Sequence, residues 1–224
     1  MSQKRASMNR VVEFSETDLF SLIRMDDGKA NAIDFDMLDQ LAEALNCAEA
    51  TGKVLLITGR QGKFCAGFDL GIMRSGGEDM KRLLQGGAEL AQRWLEFKTP
   101  IILAVSGHAL AMGALLLLSA DYRIGVSGNY KYGLNEVAIG LAMPRFGVEI
   151  ARFRFTPAHA RSSLNSARLY AAQQAEAAGF LDEVCETGQL LDRAATSAEY
   201  HSELDFDAYR VTKARLLDPL YRSL

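Results

Sequence analysis

The chain has few of the residues that staple small secreted folds or build metal centres. It holds three cysteines, Cys47, Cys65 and Cys185, among 224 residues. An odd count without a C-x-x-C pair argues against a disulfide framework and fits free thiols in a reducing compartment, so a cytoplasmic location is expected. The three histidines, His108, His159 and His201, lie far apart, and none has ligand spacing to a cysteine or a second histidine. No metal is expected. Excess positive charge is also absent: 25 Lys and Arg stand against 28 Asp and Glu, a net −3, which argues against broad nucleic-acid binding. No apolar run is long enough to cross a membrane. The most apolar stretch, 109–118, is about half the required length and reads as a buried helix. The opening residues 1–7 are basic but no apolar segment follows, so no secretory signal is expected.

What is present suffices for a substantial core, since 49% of the residues are apolar. Two short strands, 11–14 and 18–23, read as an opening hairpin. Asp34 is placed to cap a helix over 35–50 with Phe35, Leu38, Leu41, Ala42 and Leu45 on one apolar face, ended by Gly52. Val54–Thr58 is a continuous apolar run, as in a strand buried on both faces, and a glycine-rich loop follows to Asp69. Residues 75–77 mark a loop and 83–95 a helix. Pro100 introduces a second buried strand, 101–105, and Ser106-Gly107 turns into the apolar helix ending near Ala120. Short strands at 121–124 and 130–132 precede helices near 146–155, 157–169 and 171–178. Strand and helix in alternation mean an α/β fold with parallel strands joined by crossover helices. The helical, charge-rich stretch 188–224 reads as a short appendage to a core formed by 1–187.

Three segments converge on one chemistry. Phe64-Cys-Ala-Gly-Phe-Asp-Leu70 and Ser106-Gly-His-Ala-Leu-Ala-Met-Gly113 are glycine-bearing loops that each follow a buried strand. Such loops can aim free backbone N–H groups at a developing negative charge, and a helix N-terminus adds a favourable dipole. The candidate donors are the N–H groups of Phe68 and Met112, flanked by Gly67 and Gly113, which permit close approach of a ligand. The third segment, Gly133-Leu-Asn-Glu-Val-Ala-Ile-Gly140, sets one carboxylate, Glu136, among apolar residues. Flanked by Leu134, Val137 and Ala138, it is expected to be partly desolvated, with its pKa raised towards that of a useful base. Two donors and one carboxylate are what proton movement beside an activated carbonyl, such as a thioester, requires.

Taken together these residues resemble the crotonase, or enoyl-CoA hydratase/isomerase, family, from about Asn31 to Val184. Lys29-Ala-Asn-Ala-Ile33 is similar to the family's loop beside the adenine of coenzyme A, which implies contacts at Lys29, Ala30 and Ala32. Residues 64–70 resemble the first oxyanion segment, with Phe68 as donor and Ala66, Gly67, Asp69 and Leu70 beside the substrate. Residues 107–121 resemble the second, with Met112 as donor and Gly113 next to it. The implied fold is a spiral of β-β-α turns followed by helices that mediate trimerisation, so a homotrimer or a pair of trimers is expected. The implied substrate is an acyl-CoA thioester, with no tightly bound cofactor.

The departures point to a subfamily. Hydratases of the family use two glutamates; one aligns with Glu136, and the other position here is Leu115. One acidic group can carry a proton between carbons, whereas hydration needs a positioned water and usually a second carboxylate. The family's single-glutamate 3,2-enoyl-CoA isomerases look closer, sharing Asp-Tyr-Arg-Ile at 121–124 and Gly-Leu-Asn-Glu at 133–136, which makes Asn135 a candidate substrate contact. Ala111-Met112 replaces two glycines of the family's second loop, and Met112 is placed to narrow the pocket or shift the acyl chain. A hydratase, hydrolase or decarboxylase of the same fold is the alternative enzyme reading. A non-catalytic acyl-CoA-binding or assembly protein, with Met112 blocking the site, is the alternative from another class. Other residues read as structural: Cys65 as a small buried residue, His108 as pocket-lining, Trp94 and Phe97 as core. The arginines of 145–168 read as a solvated face, with a coenzyme A phosphate contact by one of them, or by Lys29, as the sharper reading.

Overall fold

A computed structural model of the protein describes residues 10–223; the basic residues 1–7 lie outside them. The chain opens with the hairpin, β1 (Val12–Glu16) antiparallel to β2 (Phe20–Met25). The helix α1 (Phe35–Thr51) starts where Asp34 accepts the Met37 N–H and stops at Gly52, which takes the left-handed conformation that glycine tolerates. Its buried face is Met37, Leu41, Ala44, Leu45 and Ala48. Ala42 is exposed, and with Phe35 and Leu38 it lines a groove against a later helix. The apolar stripe read from the sequence is therefore shared between core and groove.

Three successive turns then repeat one plan. β3 (Val54–Thr58) is followed by β4 (Gly62–Cys65) and the helices α2 (Leu70–Ser75) and α3 (Gly77–Leu95). β5 (Ile101–Val105) leads to β6 (Gly107–Leu110) and α4 (Met112–Ser119). β7 (Tyr122–Val126) leads to β8 (Tyr132–Gly133) and α5 (Arg145–Arg154). The first strand of each turn joins a six-stranded sheet, β1-β2-β3-β5-β7-β9, with β9 at Glu183–Cys185. The second joins a three-stranded sheet, β4-β6-β8. All pairs but the opening hairpin are parallel. This is the expected α/β spiral of β-β-α turns.

Two strands, β4 and β6, lie in segments read from the sequence as loop and as helix entry. They are short, and each begins with a glycine where their backbones nearly touch: a Cβ on Gly107 would fall 2.0 Å from the carbonyl carbon of Gly62. Such strands carry no apolar alternation to read.

The large sheet is buried on both faces, which explains its continuous apolar strands. Leu55 and Ile57 of β3 point into the main core with α1 and α4, while Leu56 faces a second core on the other side. That second face is covered by α8 (Leu190–Ser202), which lays Leu190, Ala194 and Ala198 over it. The α8 part of the stretch from 188 onward is thus a layer packed on the sheet. The connecting helices α6 (Pro157–Leu164) and α7 (Ala172–Ala178) precede it. The last helix, α9 (Phe206–Tyr221), is anchored by Lys213, which donates to Asp121 and to the carbonyls of Trp94 and Phe97 at the end of α3.

Parallel pairing positions the site. β4, β6 and β8 run in one direction, so the segments that leave them, 66–69, 111–112 and 134–136, emerge at the same end of the small sheet.

Candidate active site

The segment leaving β4 is zipped to the loop 29–33. The Ala66 N–H donates to Ala30 O, the Ile33 N–H to Gly67 O, and the Asp69 N–H to Ile33 O. Between these bonds Phe68 faces the other way, and its N–H has no acceptor among the described residues. Asp69 caps α2 by accepting the Ile72 N–H at 2.9 Å, and Leu70 is exposed. Lys29 is exposed as well; its carbonyl accepts from Arg60, whose guanidinium also pairs with Asp26.

Asn31 organises this pair of loops, a role not assigned to it from the sequence. Its side-chain amide donates to the carbonyls of Met25, Lys63 and Phe64, and its Oδ1 accepts the Asp27 N–H. It is fully buried at φ +52°, a conformation that asparagine tolerates better than most residues. An asparagine between two alanines in a loop was the available signal.

The segment leaving β6 holds Ala111 at φ +50° and ψ −123°, a strained conformation for a residue with a Cβ. The bond from the Ala111 N–H to Gly133 O fixes it. Met112 follows as the first residue of α4, fully buried, and its N–H has no acceptor among the described residues. The two loops abut. A Cβ on Gly67, which sits at φ +98°, would lie 2.7 Å from the Ala111 Cβ and 3.3 Å from the Met112 nitrogen. One on Gly113 would lie 2.3 Å from the Cys65 carbonyl oxygen. Glycine at 67 and 113 is what lets the two free N–H groups occupy adjoining segments.

The segment leaving β8 carries Glu136, 7% exposed. Val137 and Ala138 do not supply this burial, contrary to the sequence reading, because both are exposed. The Glu136 carbonyl instead accepts the N–H groups of Ile139 and Leu141, a tight turn that carries 137–140 outward while the Glu136 side chain stays inside. Burial pushes the carboxyl up from 4.5 to about 7, and no charged neighbour contributes. Its Oε2 and the Oδ1 of half-buried Asn135 are buried acceptors without a hydrogen bond. Buried polar atoms are normally satisfied, so these two are free for a substrate or a water. The position of a second carboxylate holds Leu115, 1% exposed, packed towards Gly147 and Met143.

Lys29, Ala30, Ala32, Ala66, Gly67, Phe68, Asp69 and Leu70 fall on the zipped pair of loops. Met112 and Gly113 fall on the abutting one, and Asn135 and Glu136 on the third. Of the other residues weighed, the Cys65 thiol is fully buried and pushed up to about 12, which leaves it unreactive. The His108 ring accepts the Lys131 N–H. Arg154 is not on a solvated face: it donates to the carbonyls of Leu118 and Ala120 and closes the end of α4. Among the described residues no group of three or more metal-ligating side chains comes together, and no helix is long and apolar enough to cross a membrane.

Known proteins resemble this chain in sequence and fold. The sequence profile of the enoyl-CoA hydratase/isomerase family matches residues 18–223. The carnitinyl-CoA dehydratase of Proteus mirabilis is 30% identical over 180 residues, 79% of this chain and 69% of the relative. Among solved structures, an enoyl-CoA hydratase/isomerase family protein from Pseudomonas syringae is 38% identical with a TM-score of 0.91, covering 95% of this chain and 94% of that one. A Mycobacterium tuberculosis protein, described as an enoyl-CoA isomerase in one solved structure and as a probable enoyl-CoA hydratase in another, is 34% identical with a TM-score of 0.91 in the first, covering 95% of this chain and 93% of that one. On the match of nearly the whole chain, this protein belongs to the enoyl-CoA hydratase/isomerase family.

Proposed function

We propose that this family member is a 3,2-enoyl-CoA isomerase in which Glu136 moves the proton alone. The reading is carried by one observation: a buried carboxyl, raised to about 7 and with Oε2 unbonded, stands without a second carboxylate, since that position is Leu115. In the reaction the Glu136 carboxylate takes a proton from C2 of a 3-enoyl thioester. The electron pair moves into the thioester carbonyl and gives a dienolate oxygen, held by the Phe68 and Met112 N–H groups. Glu136 then returns the proton to C4. The double bond now lies between C2 and C3, the carboxylate is regenerated, and no water is consumed. A carboxyl near neutral is suited to both halves, since it accepts and gives up a proton at similar cost.

The coenzyme A portion is assigned to Lys29, Ala30, Ala32, Ala66 and Leu70, with Asn135 against the acyl end. Apolar side chains left exposed near the C-terminus, Leu204, Val211 and Leu216, support contacts in a homotrimer or pair of trimers.

The names of relatives divide among hydratase, dehydratase and isomerase, so hydration is the competing reading. The test is 3-hexenoyl-CoA offered to the wild type and to Glu136→Gln. The isomerase yields the conjugated 2-enoyl thioester at unchanged mass, and the variant does not. Conjugation that survives in the variant removes Glu136 from the mechanism.

A further inference from the structure

The first expected oxyanion donor, Phe68, is braced on one glycine of a neighbouring helix, where the end of the second, Met112, also reaches. Gly87 lies in the interior of α3 and is buried. A Cβ there would fall 2.3 Å from Phe68 Cζ, 2.5 Å from Phe68 Cε1 and 3.5 Å from Met112 Cε. The ring of Phe68 and the end of Met112, from two different loops, therefore meet at this one position on the helix. An interior glycine costs a helix stability relative to alanine, so its presence here asks for a packing reason.

The Phe68 ring is partly buried and packed against the main core, and its backbone has little freedom to retreat. Its backbone is held on both sides, at Gly67 and Asp69, by bonds to Ile33, and Asp69 is further tied to α2. A push on the ring is therefore passed to the Phe68 peptide, whose N–H is the free donor. The adjacent Gly86 supplies the contrast. A Cβ there would meet only Leu38, at 2.7 Å from its Cδ1. Leu38 borders the groove between α1 and α3, which has room for it to swing.

We propose that Gly87 is a positioning residue for the oxyanion pair: its missing side chain sets where the Phe68 N–H stands relative to the thioester oxygen and to the Met112 N–H. This rests on the reading of those two groups as donors. Displacement of a donor acts on the transition state far more than on binding of the rest of the ligand.

The test compares wild type, Gly87→Ala, Gly86→Ala and the double variant Gly87→Ala with Phe68→Leu. Turnover of 3-hexenoyl-CoA is measured alongside the infrared carbonyl stretch of bound, carbonyl-labelled butanoyl-CoA, which does not react. Gly87→Ala is expected to lower kcat about tenfold or more while KM stays within about twofold. The carbonyl stretch should move back towards its value in water. Gly86→Ala should behave as wild type. Trimming Phe68 keeps the backbone donor and makes room for the new methyl, so the double variant should regain both turnover and the shifted stretch. Unchanged kcat and stretch in Gly87→Ala, or no rescue by Phe68→Leu, overturns the proposal while leaving the donors in place. A wild-type stretch equal to that in water instead overturns the donor reading, and the brace with it.

Discussion

Replacing Glu136 by glutamine should make the protein more stable and less active, and the size of the gain depends on pH. In the unfolded chain the carboxyl titrates near 4.5; in the fold burial holds it at about 7. Below 4.5 both states are protonated and the burial penalty is absent. Between 4.5 and 7 the unfolded chain loses its proton while the folded one keeps it, so stability falls as pH rises, and the loss is complete above the folded value. The shift corresponds to about 3 kcal/mol, taken as an order of magnitude. The side chain is 7% exposed, so solvent screening does not reduce it greatly. Urea unfolding of wild type and Glu136→Gln at steps from pH 4.5 to 8.5 should show the variant gaining on the wild type by up to that amount. A difference that stays flat across this window refutes the burial argument. The same carboxyl should give kcat/KM an acid limb that levels off above about pH 7. A limb centred near 4.5 would mean that Glu136 is solvated.

Other sites give sharp expectations. Ala111→Gly relieves the positive-φ strain at the second loop and should raise the free energy of urea unfolding by about 1 kcal/mol, after the entropic cost of glycine. Asn31→Leu leaves the carbonyls of Met25, Lys63 and Phe64 and the Asp27 N–H without their partner, and should cost about 3 kcal/mol or more in the same assay. Lys213→Met takes the cation from the half-buried Asp121 carboxylate, which still accepts the Ile101 N–H, and should cost about 2 kcal/mol, with α9 as the first element to lose amide protection in hydrogen exchange. Wild-type stability in the last two would show that these bonds are not made.

Local signals in the sequence were enough for much of the fold. Asp34 and Gly52 bracket α1 because capping is a matter of neighbouring residues. The apolar runs at 54–58 and 101–105 read as doubly buried strands because parallel sheets need them. The three glycine- or glutamate-bearing segments were legible as candidates from their residue types and the family resemblance, and the fold brings them to one end of the small sheet. What was not legible depends on partners distant in sequence. Glu136 is buried although two of the three apolar neighbours named for it are exposed, so its environment comes from across the fold. Asn31 acts on carbonyls 32 and 33 residues away. Gly87 matters only because Phe68 and Met112 reach it. The 188–224 stretch reads as charged helix, yet the small Ala194 and Ala198 are what let α8 lie close on the sheet.

The central claim is that one carboxylate moves a proton between two carbons without adding water. It is tested most directly by offering the wild-type protein 3-hexenoyl-CoA and 2-hexenoyl-CoA in parallel and weighing the products. Conversion of the first to its conjugated isomer at unchanged mass, with no gain of water on the second, is the expected result. Rapid addition of one water to 2-hexenoyl-CoA, with the 3-enoyl substrate left intact, would contradict it.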